Sequence, residues 1–146
     1  MDNHYYNVFA SLLSVPGVIE VFNNAQGGAG ITIFVPSDAS FRRLPQSLKI
    51  ETLPADKRGL VIKFHAIHSY YAQNILKVLV NNFQPTLATE ATSATSFRFS
   101  LSQFQGKAGI QTGIGNRSVV LNTIYDQKPV AIYSVSDVLL PKEIFQ

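Results

Sequence analysis

The chain contains no cysteine. Disulfides, zinc thiolate sites, iron–sulfur clusters and a thiol nucleophile are thereby excluded. Charge is scarce as well. Asp, Glu, Lys and Arg make up 14% of residues, against about 25% in typical globular domains. Apolar residues are not scarce: they stand at 46%, with 11% aromatic. That combination excludes a disordered chain, which is charge-rich and poor in aromatics. The net charge of +3 comes from 12 basic and 9 acidic residues. Six basic and five acidic residues lie up to Gln73, and six and four after it. With no basic block, neither nucleic acid nor a membrane surface is an expected partner. No apolar run reaches the roughly 18 residues that would span a bilayer. Met1 to Tyr6 lacks the basic and apolar regions of a secretory leader, and Phe145-Gln146 ends no hydrophobic tail.

What is present suits one domain. A chain of 146 residues buries roughly 68–70% of the surface its unfolded form exposes, enough for a core without metal or disulfide. Val8, Phe9, Leu12 and Leu13 form one helical stripe. Pro16 opens a second short helix through Phe22. Asn23 to Gly30 is a loop. Ile31-Thr32-Ile33-Phe34-Val35 is a strand closed by Pro36, and its near-continuous apolarity predicts burial on both faces. Ser37 or Asp38 caps a short helix carrying Phe41 and Leu44. Pro54-Ala55-Asp56 opens a longer helix that places His65 beside Val61 on its buried face. Ile75 to Val80 reads as helix or strand. From about residue 86 the apolar period becomes two, with Phe97, Phe99 and Leu101 inward. Gly106, Gly109, Gly113 and Gly115 mark turns. Ser118–Ile124 and Val130–Val135 are strands, joined by a loop over Tyr125–Pro129. Helices first and antiparallel strands later predict an α+β fold, with N-terminal helices packed on a mostly antiparallel sheet wedge.

Signs of catalysis are sparse. His65 and His68 stand three apart, a spacing that sets two imidazoles on one helical face, but no third ligand is apparent. Gly27-Gly28-Ala29-Gly30 leads into a strand, whereas phosphate loops lead into a helix. There is no Gly-x-Ser-x-Gly elbow and no close carboxylate pair in an apolar setting. No catalytic residue, metal or cofactor is therefore expected, and the protein is read as a non-enzyme. Asn116-Arg117-Ser118 is an N-glycosylation acceptor.

Three segments carry a resemblance. Thr32-Ile33-Phe34-Val35-Pro36-Ser37-Asp38-Ala39-Ser40-Phe41 is similar to the first signature of the fasciclin domain. Phe64-His65-Ala66-Ile67-His68-Ser69-Tyr70-Tyr71 resembles its second, with Phe64 where many members have Tyr and His68 where many have Pro. Val130 to Tyr133 and Val138-Leu139-Leu140-Pro141-Lys142-Glu143-Ile144-Phe145 are similar to its closing strand and tail. The ending looks like that of plant fasciclin-like arabinogalactan proteins. The resemblance implies a single fasciclin domain over 1–146, with leader, Pro-rich glycosylated region and membrane anchor outside this chain. It implies an extracellular adhesion or wall-interaction module of a plant cell-surface glycoprotein, involved in secondary-wall formation. Its partners would be cell-wall polysaccharide, other surface proteins or other fasciclin domains, and in isolation it would be monomeric. Tyr70 and Tyr71 are the candidate sugar-stacking residues; the alternative places both in the core. A passive scaffold presenting glycans, or a small metal protein or enzyme using His65 and His68, are the competing functions.

The signatures also make sense as packing. Phe34 and Phe41 are expected to pack together. His65 needs a partner for its ring, with Asp38, Thr32 or a backbone carbonyl of the first signature expected in that role. Truncating it is expected to cost about 1–3 kcal/mol.

Overall fold

The computed structural model describes residues 6–12, 20, 22, 30–44, 50, 53–76, 82–92, 97–104, 106–112 and 117–145. Within them run α1 (Asn7–Leu12), β1 (Ile31–Pro36), α2 (Asp38–Arg42), α3 (Ala55–Lys63) and β2 (Ala66–Ile67). There follow α4 (Gln73–Leu76), β3 (Asn82–Pro85), α5 (Leu87–Ala91) and β4 (Arg98–Phe104). The chain closes with β5 (Lys107–Gln111), β6 (Ser118–Gln127), β7 (Val130–Val135) and α6 (Lys142–Phe145). The strands form one sheet in the order β2-β1-β7-β6-β5-β4-β3. Every adjacent pair is antiparallel except β1 with β7, which run parallel. This is the expected α+β arrangement.

β1 is buried on both faces, as its apolar run predicts. Ile31 and Val35 join Phe9, Phe41, Val61 and Ile62 in one core cluster. Phe34 points the other way, into a second cluster with Phe99, Leu101, Ile110 and Tyr133. Phe34 meets the Phe99 ring edge-on at 5.9 Å. The expected contact of Phe34 with Phe41 is therefore not made. Successive strand side chains take opposite faces, and the helix beyond Pro36 brings Phe41 back to the face that Phe34 does not occupy.

Local chemistry explains most boundaries. Ser37 caps α2, its hydroxyl accepting the Ser40 N–H. β4 begins where the Phe97, Phe99, Leu101 alternation predicts, and all three are buried. Three expectations fail. Residues 87–91 are helical, because Thr86 and Thr89 form a reciprocal capping box that starts α5. Gly109 lies inside β5, opposite Ser102 on one side and Val119 on the other, not in a turn. Tyr125 to Gln127 extend β6, leaving only Lys128 and Pro129 to turn. Phe83, in the ambiguous stretch, belongs to strand β3. Of the expected helix from Pro16 to Phe22, only Glu20 and Phe22 are among the described residues, and both are helical. Gly113 and Gly115 lie outside them.

The join between α5 and β4 is strained. Phe97 has φ of 58°, a region bulky residues rarely enter. Its carbonyl accepts from the hydroxyls of Thr86 at 2.8 Å and Thr89 at 2.7 Å. Its N–H donates to the Glu143 carboxylate in α6 at 3.0 Å. Backbone strain of this kind persists where the surroundings over-determine it. Glu143→Ala is expected to lower stability by about 1–2 kcal/mol, because the Phe97 N–H loses a charged acceptor. Urea denaturation at neutral pH checks this.

Candidate functional site

The three signature segments meet at His65. α3 ends at Lys63 with Phe64 as its C-cap, so His65 sits just past the helix rather than on it. Its carbonyl accepts the Phe34 N–H at 2.8 Å, tying it to the first signature. The ring does something else. Nδ1 lies 2.7 Å from the Val61 carbonyl, and Nε2 accepts the Leu139 N–H at 3.0 Å. A carbonyl can only accept and an amide N–H can only donate. The two partners therefore fix one neutral tautomer, protonated on Nδ1. Burial holds the His65 pKa down to about 4 from 6.5, and the bond to Val61 opposes this only in part. The Phe9 ring meets the imidazole edge-on at 5.7 Å.

Asp38 and Thr32 are thus not the ring's partners. The Thr32 hydroxyl donates to the Ser69 carbonyl at 2.7 Å and accepts the Tyr71 N–H at 2.9 Å. It stitches the second signature to the first through backbone groups. Asp38 sits in the first turn of α2, where a carboxylate suits the helix dipole. Phe64 is fully buried between the rings of Phe97 and Phe99. Leu139, Leu140 and Pro141 are all buried. The signatures accordingly build the core. His68 is half-buried and lies beyond the two-residue strand β2, not one helical turn from His65. Both His65 nitrogens are engaged, which leaves neither for a metal ion or a proton transfer. Among the described residues no three His, Asp or Glu gather closely enough to hold a metal ion.

Tyr70 and Tyr71 behave differently from each other, though both are half-buried against the second cluster. The Tyr71 carbonyl accepts from the buried Tyr133 hydroxyl at 2.6 Å. Burial pushes the Tyr133 hydroxyl's pKa well up. Tyr70 reaches outward, and its hydroxyl donates to the exposed Asp126 carboxylate on β6. That bond raises the Tyr70 pKa above the usual phenol range. An aromatic face beside a carboxylate is the chemistry that holds a sugar ring: the face takes C–H groups and the carboxylate takes hydroxyls. Asp126 is not legible as a site residue in the sequence, where Tyr125–Pro129 has the composition of a loop although Tyr125–Gln127 are strand. Asn116 lies outside the described residues.

On the opposite face, α1 and the sheet enclose an apolar groove of about 230 Å³ over Phe9, Phe22, Ile33, Val35, Ile124 and Ile132. Beside it is a polar pocket of about 190 Å³ lined by Ser37, Ser40, Arg43, Leu121 and Ser136. Tyr6 borders both. Arg43 donates to the Ser136 carbonyl at 2.8 Å and stands 3.7 Å from the Asp137 carboxylate.

Residues 4–141 match the family model described as Fasciclin domain. The chain is similar to Fasciclin-like arabinogalactan protein 4 of Arabidopsis thaliana, 44% identical over 146 residues, covering 99% of this chain and 34% of that protein. It is 32% identical over 142 residues to Fasciclin-like arabinogalactan protein 7 of the same plant, covering 96% of this chain and 54% of that one. The chain thus spans between a third and about half the length of these relatives. Among solved structures, a FAS1 domain pair from the insect cell adhesion molecule Fasciclin I superposes with a TM-score of 0.64 at 16% identity. That alignment covers 95% of this chain and 46% of the pair, and establishes the shared fold.

Proposed function

We propose that this chain, which belongs to the fasciclin domain family, is an adhesion module of a plant cell-surface glycoprotein. In this reading it works by binding, not by catalysis. It holds wall polysaccharide on the face that carries Tyr70, Tyr71 and Asp126, and so helps to organise the wall, the secondary wall included. The observation that carries the reading is the half-buried Tyr70, whose hydroxyl is paired with the exposed Asp126 carboxylate, set on a core that the family signatures themselves build. Among the described residues the one buried imidazole, that of His65, is committed to two backbone groups. The chemistry left for partners is therefore at the surface. The arabinogalactan relatives support the plant setting, and glycan on Asn116 would add to the contacts.

The test is calorimetric titration of the unglycosylated domain with a panel of plant wall polysaccharides. Saturable binding to one class is expected, weakened at least roughly tenfold by Tyr70→Ala. The Tyr70→Ala protein must first show an unchanged far-ultraviolet spectrum. Absence of binding to the whole panel would favour a scaffold that works through its attached glycans.

A further inference from the structure

We propose that the apolar groove and the polar pocket beside it are one binding site, which takes a small aromatic carboxylate. Three strands lead from one cavity to the other. On β7, Ile132 lines the groove, and Ser134 and Ser136 line the pocket. On β1, Ile33 and Val35 line the groove, and Ser37 just past the strand lines the pocket. On β6, Ile124 lies in the groove and Leu121 in the pocket. Ile33 and Ile132 are partners in the parallel ladder, so the groove has a continuous floor. Two residues along a strand span about 6–7 Å. An apolar wall thus gives way to a polar one within the length of a small molecule.

The groove chooses the body of the ligand. Among the described side chains that line it, only Tyr6 carries a polar atom. A sugar placed there would leave its hydroxyls without partners. The volume of about 230 Å³ exceeds the roughly 150 Å³ of an apolar cavity that holds benzene. One ring and a short link fit. A docked helix does not, since its anchors spread over two turns. Phe9 and Phe22 wall the groove together with the sheet isoleucines, a setting that suits a flat ring.

The pocket chooses the head. Arg43 is the charged side chain among the described residues that line it. A guanidinium grips a carboxylate through paired N–H groups. Among the described residues, the contacts of Arg43 with Ser40, Ser136 and Asp137 all use Nη2. Nη1 and Nε are uncommitted there, and the Ser37 hydroxyl is a further donor. Asp137, 3.7 Å from Arg43, opposes an anion. Its carboxylate is occupied in part by the Ser136 hydroxyl, which it accepts at 3.0 Å.

The test is a titration of the isotope-labelled domain with hydrocinnamate, a phenyl ring joined to a carboxylate by two methylenes, followed by nuclear magnetic resonance. Saturable shifts are expected at Ile33, Ile124 and Ile132, with a Kd of about 1 mM or tighter. The neutral amide of the same acid should bind at least tenfold more weakly, and octanoate more weakly than hydrocinnamate. Ala10 is exposed on α1 and lines the groove. Ala10→Leu should fill the groove and abolish binding, while its thermal unfolding matches the parent. Arg43→Gln should erase the preference for acid over amide. Asp137→Asn should tighten the acid several-fold and leave the amide unchanged. No saturable shift in the groove overturns the proposal. So does an amide that binds as well as the acid, an octanoate that binds more tightly, or an Ala10→Leu protein that binds like the parent. Asp126 stands opposite Ala131, which is next to Ile132 and so on the other face of the sheet. Ala10→Leu should therefore leave the polysaccharide titration unchanged, which separates this site from the Tyr70 face.

Discussion

The His65→Ala protein is expected to unfold about 3–5 kcal/mol more easily than the parent at pH 7.5. Two costs combine. Truncating a fully buried ring leaves a cavity beside Phe9. The Val61 carbonyl and the Leu139 N–H also lose their partner in a place water does not reach. The total exceeds what an unsatisfied hydrogen bond alone would cost. The parent carries a second signature of the same site in its pH dependence. In the folded state the imidazole titrates near 4 and in the unfolded chain near 6.5. Below 6.5 the unfolded chain therefore binds a proton that the folded one refuses. The stabilisation is fully present above pH 6.5 and is lost as pH falls toward 4, by about 3 kcal/mol in all. Denaturant unfolding at several pH values between 4 and 7.5 measures this, and the His65→Ala protein should lack that component. A variant as stable as the parent, or a parent whose stability is flat over the window, would falsify the fixed neutral tautomer.

Gly30→Ala is expected to cost about 3 kcal/mol. Gly30 sits at φ +90°, where side chains are strained whatever the space. Here there is no space either. A Cβ would stand 2.5 Å from the Pro129 carbonyl oxygen and 2.9 Å from the Tyr70 Cβ. The first of these atoms is fixed, because the same carbonyl accepts the Ile31 N–H at 2.9 Å. That bond leads directly into the parallel ladder of β1 on β7. The substitution should thus open the end of the ladder and shift Tyr70 away from Asp126. A drop in melting temperature, together with a fall in the Tyr70 ionisation midpoint in an ultraviolet pH titration, would report both effects. A full melting temperature with an unmoved titration would show that the backbone yields there at no cost.

Much of this architecture can be read from residue types. The alternation of Phe97, Phe99 and Leu101, the Ser37 cap and the doubly buried β1 all follow from patterns that side chains impose. What is not legible falls into three kinds. α5 hides because Thr is a poor helix former, and its capping box uses Thr89 where Glu or Gln would be the usual sign. β2 is two residues long, too short for any period to show. The ring partners of His65 hide for a deeper reason. Leu139 contributes its backbone N–H, and a backbone group is the same whatever residue carries it. The need of His65 for a partner is readable; the partner's address is a property of the fold. Tyr70 is identified from the family-like motif, but Asp126 is not, since its neighbours Gln127, Lys128 and Pro129 suggest a turn from Tyr125 on, three residues before one occurs.

The parallel pairing of β1 with β7 has a consequence for how the chain is made. Ile31 lies against Val130, and Pro36 against Val135, so the strand partners are far apart in the sequence. Such distant pairings carry a large loop-closure cost and slow folding. During synthesis β1 emerges long before β7, with an apolar run that is finally buried on both faces. It must wait for residues 37–129 to follow before its neighbour exists. Until then it is an unpaired, sticky strand, the kind of surface that chaperones cover. A chain cut short before residue 130 would lack more than its tail. It would lose the strand that seats β1, and with it the Leu139 N–H that holds His65.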